Sequence, residues 1–393
     1  MPDLITEFES IPYGALGIIG MPGCELLTDM IDKYIVKWRK ERESEHKTTI
    51  AFYGYQRDSY KIDISLPRFG SGEAKATVNQ TVRGYDIYIV ADVFNYGCKY
   101  KMYGMEVPMS PDDHFADIKR VISAISGKAR RISVIMPMLY EGRQHKRSAR
   151  ESLDCAMALQ ELTSLGVDSI VTFDAHDPRV QNAIPHKSFE NVQPAYQMIK
   201  TMINTVDNLK IDKDNLVIIS PDEGGMGRCI YFATVLSVNL GMFYKRRDYS
   251  QIVDGRNKII AHEYLGDSLE GKDVIIVDDM ISSGESMIEV ASKLKQLNAG
   301  RIFICASFGL FCNGLEVFDK AYKDGIFERV FTTNSIYQSP ELLEREWYTS
   351  VDVSKYISYI IDTLNHDLSV SGLLDSSKKI ENLLIKKGLK AKE

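Results

Sequence analysis

The chain lacks paired cysteines, a strong charge of either sign and any long apolar run. Its six cysteines, Cys24, Cys98, Cys155, Cys229, Cys305 and Cys312, are scattered, and no two stand in a CxxC spacing. This argues against a zinc site or a disulfide framework and makes a reducing, cytoplasmic compartment the expected one. A net charge of −6 leaves no basic footprint for a general nucleic-acid binder, although a local basic pocket remains open. No apolar stretch is long enough to span a bilayer. The opening residues, MPDLITEFES, have neither the basic start nor the apolar core of a secretory signal. Neither a nucleic-acid nor a membrane partner is expected, and no residue-level repeat is visible.

What is present is an ordinary globular composition, 44% apolar and 26% charged, over 393 residues, enough for two or three domains. Apolar runs alternate with helical periodicity. Strands are expected at Leu16–Ile19, Tyr60–Arg68, Asp86–Ala91, Arg131–Met138 and Ser169–Phe173. Helices are expected at Cys24–Trp38, His114–Ser126 and Glu151–Leu165, the last closed by Gly166. A second unit of the same rhythm begins near Pro194, with a helix at Ala195–Val206 and strands at Leu216–Ser220, Met242–Tyr244, Val274–Val277, Arg301–Ala306 and Arg329–Thr333. This alternation predicts an α/β fold with parallel sheets covered on both faces. The charge-dense run Lys37–Lys47 reads as a solvated helix end or loop, and Phe94–Pro111 as an irregular, packed insertion. Asp352–Leu374 reads as a C-terminal helix with a trailing loop, and the lysine-rich residues 376–393 as a solvated tail helix.

Polar clusters fall at the ends of these strands, where open α/β sheets place their ligand sites. In Asp273–Met287 a buried strand ends in Asp278 and Asp279, the small turn Ser282-Ser283-Gly284 follows, and a helical pattern starts. Such a helix start favours a phosphate, and two carboxylates beside it suit sugar hydroxyls or a divalent metal. A strand ending in two solvated acids would look the same. His176 lies between Asp174 and Asp177 just past another strand, as a metal ligand or as a structural histidine. Asp222 opens the glycine turn Pro221–Gly225, which allows backbone to approach a pyrophosphate closely or is an ordinary turn. Two loops are basic, one with Arg143, Lys146, Arg147 and Arg150, the other with Lys245 and Arg247. The polar stretch Asp248–Asp267 after the second has the character of a mobile lid. Together these features suit transfer of a polyphosphate group, which depends on metal and cationic clamps.

At this point the sequence resembles the ribose-phosphate pyrophosphokinase family, from about Leu16 to about Asp367. The matches run in order. Arg68-Phe69 with Glu73 resembles the adenine-contacting turn, and Tyr140 with Arg143-Gln144 the ATP loop. Asp174-Ala175-His176 resembles D-L-H, and Ser220–Gly225 resembles S-P-D-x-G-G. Lys245 and Arg247 match K-x-R, Val277–Met280 matches the start of the ribose 5-phosphate loop, and Thr332–Ile336 resembles T-N-T-I. The resemblance implies an α/β fold of two tandem type I phosphoribosyltransferase-like domains, each a mainly parallel sheet flanked by helices. These are residues 1–194, carrying the ATP loops, and 195–340, carrying the ribose 5-phosphate loop. A helix within 341–375 packs back on the first domain, and 376–393 is the lysine-rich tail.

The implied activity is transfer of the pyrophosphoryl group of MgATP to the 1-hydroxyl of ribose 5-phosphate, giving phosphoribosyl pyrophosphate and AMP. The implied site comprises Lys245 and Arg247 as catalytic cations; Phe69, Ser71, Glu73, Arg143, Gln144 and His176 toward ATP; and Asp222, Asp278, Asp279, Ser282, Ser283, Gly284 and Ser286 toward ribose 5-phosphate. Mg²⁺ is the implied cofactor, held by His176 and Asp222, and a homo-oligomer, dimer or hexamer, the implied assembly. The phosphate loop departs from the family pattern D-D-x-x-D-T-G-G-T: Ser282 replaces an acid and Glu285 a glycine. Ser71 stands where an acid is usual and His145 where an Asp is common. These departures keep a second reading open, a non-catalytic paralogue that regulates a partner synthetase. An ordinary phosphoribosyltransferase fits the series of loops less well.

Overall fold

In a computed structural model, residues 11–42, 54–253 and 256–390 are described, the side chains of 245–262 excepted. In chain order the elements are β1 (Ala15–Gly20), α1 (Glu25–Glu41), β2 (Ile64–Ser65), β3 (Thr77–Val78), β4 (Tyr85–Val90), β5 (Lys99–Met102), β6 (Met105–Pro108), α2 (Pro111–Ile125), β7 (Arg131–Ile135), α3 (Asp154–Ser164), β8 (Ser169–Phe173) and β9 (Ser188–Val192). They continue with α4 (Ala195–Thr205), β10 (Leu216–Ser220), α5 (Met226–Leu236), β11 (Asn239–Val253), β12 (Arg256–Leu265), β13 (Asp273–Ile281), α6 (Glu285–Gln296), β14 (Ile302–Gly309), α7 (Glu316–Lys323), β15 (Arg329–Thr333), α8 (Pro340–Leu343), β16 (Tyr348–Val351), α9 (Ser354–Asn365), α10 (Ser371–Leu374) and α11 (Ser377–Lys386). The chain divides into two units. The first holds residues up to Gln193 with Asn334–Tyr337 and Asp352–Asp375, and the second holds the remainder.

The first unit is built on a parallel sheet of order β1-β4-β7-β8-β9. Strand β4, YDIYIV, is buried at five of six positions, as a strand covered on both faces must be. Helix α1 presents Leu27, Ile31, Ile35 and Trp38 to the core at helical spacing, and Trp38 stacks on Tyr359 of α9 at 4.3 Å between ring centres. The charged run expected to be solvated instead buries Arg39 and Arg42, because α9 brings them a partner. Arg39 lies 2.9 Å and Arg42 2.6 Å from the buried carboxylate of Asp362. One helical turn on, Asn365 accepts from Arg39 at 2.7 Å and donates to Asp86 of β4 at 2.8 Å. This network attaches α9 to the sheet. Cutting one partner out of such a buried pair typically costs about 3–5 kcal/mol, since the opposite charge is left uncompensated.

The expected irregular insertion is a hairpin. β5 and β6 pair antiparallel from Lys99↔Pro108 to Met102↔Met105, and Tyr103 and Gly104 turn the chain with φ of 49° and 82°. Two positive φ angles in a two-residue loop match the right-handed twist of the strands. The strand expected over Tyr60–Arg68 shrinks to the two residues of β2, paired with β3.

The second unit has a sheet of order β12-β11-β10-β13-β14-β15-β16, parallel except for the β11–β12 pair. The polar stretch expected to be a lid lies mostly in these two antiparallel strands. β13 does not stop at its two aspartates: its pairing with β14 runs on to Ile281↔Gly309. The expected solvated tail is also corrected. α11 packs against α4 and α5, and Ile380 and Leu384, 0% and 1% exposed, enter the core beside Leu216 and Phe232. A two-residue apolar stripe at i, i+4 is enough to dock a helix once a hydrophobic face awaits it.

Candidate active site

In the first unit the residues expected to meet ATP fall on three loops. The Arg143-Gln144 loop follows β7. Its entry is fixed by Tyr140, which stacks on Phe115 at 4.3 Å and donates to Asp112 at 2.6 Å, both on α2. Burial and Asp112 together push the Tyr140 hydroxyl up, so it stays a donor. Glu141 takes a positive φ of 54°, Arg143 is exposed, and Gln144 is half-buried with its side-chain amide donating to the Ser152 carbonyl at 2.9 Å.

The second loop carries His176, exposed beyond β8. Its backbone is held by Asn191 of β9, which accepts from the Ala175 N–H at 2.9 Å. The two loops meet: the His145 and His176 rings lie 5.3 Å apart, and His145 Nε2 is 3.5 Å from Asp177. Asp177, which flanks His176 in sequence, accepts from the Arg179 side chain, with Nε 2.9 Å from Oδ1 and a second nitrogen 2.5 Å from Oδ2. These bonds draw its carboxyl well below the usual range. Burial lowers the His145 pKa, against the pull of Asp177.

The third loop is the Phe69–Glu73 turn, closed by the Phe69 N–H donating to the Glu73 carbonyl at 2.7 Å. Phe69 is 53% exposed, and the Ser71 hydroxyl donates to the Glu73 carboxylate at 2.8 Å. Arg68 at its base lies 2.7 Å from Asp117 and 3.6 Å from Asp113 of α2. The same helix therefore supports both the Tyr140 loop and the Arg68 turn. Its start is set by a capping box in which Ser110 and Asp113 satisfy each other's backbone N–H, with Pro111 at the first position. These aspartates were not singled out from sequence, where the helix was expected to start only at His114, beyond Asp112 and Asp113.

In the second unit, β10 leads into the Pro221–Gly225 turn. The Asp222 carboxylate accepts from the N–H groups of Gly224 and Gly225 at 2.9 and 3.3 Å. A side chain at Gly225 would begin 3.6 Å from Asp278, so this turn and the β13 end adjoin. Arg228, one turn into α5, reaches both acids, 3.4 Å to Asp278 and 3.7 Å to Asp279. Burial and the neighbouring Asp279 push the Asp278 carboxyl well up, while Arg228 opposes this. Sequence reading missed Arg228; the only signal was a cation three residues after the glycine pair.

Ser282 and Ser283, half-buried, lead to Gly284, whose φ is +87° and whose added Cβ would collide with the ring of Phe318. Glu285 and Ser286 are exposed in the first turn of α6. Ser282 is bracketed by the Cys312 segment, its carbonyl accepting from the Cys312 N–H at 2.9 Å and its hydroxyl 3.9 Å from the thiol. Lys245 and Arg247 lie in β11, Lys245 paired with His262 of β12, and their side chains are outside the described residues.

Among the described residues no group of three or more His, Cys, Asp or Glu side chains is placed to hold a metal. Of the expected ligands, the Asp222 carboxylate is a hard oxygen donor of the kind Mg²⁺ takes alongside waters and substrate phosphates. Also among the described residues, no helix is long and apolar enough to cross a membrane.

Residues 56–166 match the model for the N-terminal domain of ribose phosphate pyrophosphokinase, and residues 186–345 match the phosphoribosyl transferase domain model. The chain belongs to the ribose-phosphate pyrophosphokinase family. Among curated relatives, the ribose-phosphate pyrophosphokinase of Vibrio parahaemolyticus serotype O3:K6 is 27% identical over 317 residues, covering 80% of this chain and 91% of its own. That of Prochlorococcus marinus subsp. pastoris is 28% identical over 289 residues, covering 72% and 78%. The solved phosphoribosylpyrophosphate synthetase of Mycobacterium smegmatis has the same fold. Its TM-score is 0.69 at 18% identity, with 90% of this chain and 99% of that one covered. Two α/β units with largely parallel sheets flanked by helices are thus the architecture of the ribose-phosphate pyrophosphokinase family in this chain.

Proposed function

We propose that this protein is a ribose-phosphate diphosphokinase that transfers the pyrophosphoryl group of MgATP to the 1-hydroxyl of ribose 5-phosphate, giving phosphoribosyl pyrophosphate and AMP for nucleotide biosynthesis. The observation that carries the reading is the convergence of the Asp222 turn, Arg228 and the Asp278-Asp279 pair within one unit. Ribose hydroxyls need acceptors, and the carboxylates supply them. The Ser282–Ser286 turn ahead of α6 offers hydroxyls and helix N–H groups to the 5-phosphate. On the donor side, Arg143 and Gln144 take the phosphates of ATP, and Phe69, Ser71 and Glu73 take its base. Attack of the 1-hydroxyl on the β-phosphorus requires in-line placement, which such anchoring provides. Lys245 and Arg247 stabilise the charge that develops on the transferring phosphates. The resemblance assigns Mg²⁺ to His176 and Asp222; when bound, the ion would supply neutralisation of phosphate charge. A cytoplasmic homo-oligomer, dimer or hexamer, belongs to the same reading and rests on the resemblance alone.

A second reading, a non-catalytic partner of an active synthetase, is favoured by one feature. Glu285 puts a carboxylate in the first turn of α6, where it competes with a phosphate for the positive helix end. One assay separates the two. Purified protein with MgATP and ribose 5-phosphate is followed for AMP and phosphoribosyl pyrophosphate, alongside Lys245→Ala. The diphosphokinase reading expects product from the wild type and a loss of at least about a hundredfold in the variant, with the fold intact. No product from the wild type at any phosphate concentration would decide for the second reading.

A further inference from the structure

The hairpin β5–β6 has no place in the reading above, yet its contacts run to the turn expected to bind the purine of the nucleotide donor. The Tyr103 N–H donates to the Gly70 carbonyl at 2.8 Å, the residue after Phe69. Gly72, with φ of +94°, leaves room for Met102: a Cβ there would lie 2.8 Å from its sulfur. Arg68 sits over the Tyr100 ring at 4.7 Å. The hairpin thus grips the turn at its base, middle and far side. It also leaves Tyr103, at its tip, 77% exposed, one backbone hydrogen bond away from the residue after Phe69, itself 53% exposed. Two exposed aromatic rings thus stand on adjoining turns, and nucleobases take aromatic faces as their usual platform. On the Glu73 side the edge is polar. The Ser71 hydroxyl is spent on the Glu73 carboxylate, so an acceptor remains for an exocyclic amine such as that of adenine.

We propose that this hairpin completes the base subsite of the nucleotide donor. Its backbone holds the Phe69–Glu73 turn in shape, and Tyr103 adds a second aromatic surface against the purine. The inference rests on the assignment of that turn to ATP, and it makes the insertion a determinant of donor affinity rather than of catalysis.

The test uses the full chain and measures equilibrium binding of ATP with Mg²⁺, then steady-state kinetics. Tyr103→Asn keeps a residue that tolerates positive φ and removes the ring. It is expected to weaken ATP binding about tenfold, equivalent to about 1.4 kcal/mol, and Tyr103→Phe to restore it. Met102→Ala should weaken it as well, by loosening the turn. In kinetics KM for ATP rises while kcat and KM for ribose 5-phosphate hold. Wild-type ATP affinity in both Tyr103→Asn and Met102→Ala overturns the proposal, as does absence of ATP binding by the wild type. So does an affinity loss that tracks a changed sedimentation coefficient, which would make the hairpin a self-association surface. Should the wild type bind ATP yet release no AMP with ribose 5-phosphate, the diphosphokinase reading falls, and the binding series still decides the base subsite.

Discussion

Gly284 offers the sharpest test of the turn between β13 and α6, because its cost can be worked out from two separate features. Replacing it by Ala forces a side chain into φ of +87° and sets the new Cβ against the ring of Phe318. The left-handed backbone costs about 1–2 kcal/mol for a residue with a Cβ. Overpacking a filled core adds about 1–3 kcal/mol. Phe318 cannot retreat cheaply: it is fully buried and stacks on Trp347 at 5.4 Å between centres. Gly284→Ala is therefore expected to destabilise the second unit by about 2–5 kcal/mol. The chain has two tryptophans, Trp38 in the first unit and Trp347 in the second. In a Trp38→Phe background, urea unfolding followed by the fluorescence of Trp347 reports this unit alone. Phe318→Leu separates the two costs, since it relieves the collision and leaves the backbone strain. The double variant should lose less than the sum of the single losses by roughly 1 kcal/mol or more. A Gly284→Ala protein within about 1 kcal/mol of its parent, or strictly additive losses in the cycle, would refute the reasoning.

Two further predictions concern the same unit. Asp278 has its folded pKa raised, so its neutral form is favoured in the native state and ionisation costs stability as pH rises through the folded value. Asp278→Asn should therefore raise the unfolding temperature at pH 7 and flatten its decline with rising pH, while ribose 5-phosphate affinity, read by calorimetry, drops. A lower unfolding temperature would contradict the sign. Cys312 is exposed beside Ser282, whereas Cys24, Cys155, Cys229 and Cys305 are buried. Iodoacetamide should label Cys312 fast and ribose 5-phosphate should slow the labelling, as peptide mass spectrometry would reveal; equal rates with and without the sugar phosphate would remove the loop from the sugar site.

How much of this was legible in the sequence depended on how local the cause was. Ser169–Phe173, Leu216–Ser220 and Arg329–Thr333 lie inside their sheets, not at an edge, and their expected limits match the observed ones. β9, SFENV, was missed because it lies at the sheet edge and needs no apolar run. The β5–β6 hairpin was missed because Tyr103-Gly104 lacks the Asn-Gly or Asp-Gly signature of its turn. Arg39 and Arg42 read as solvated because their partner, Asp362, is over three hundred residues away. In the site, the clusters at His176, Asp222 and Asp278-Asp279 were visible as polar residues after apolar strands. The supports were not: Arg228 beside the Asp278-Asp279 pair, and the α2 aspartates beneath Tyr140 and Arg68, act through tertiary contacts that no spacing announces.

The first two turns of α2 tie two loops together. Asp112 holds Tyr140, while Asp113 and Asp117 hold Arg68, so the Tyr140 loop and the Arg68 turn share a single support. One residue inserted before Asp112 but after the Ser110 cap would rotate both attachments by about 100° together. The two loops are therefore coupled mechanically: a substitution that shifts the start of α2 at one of them is felt at the other.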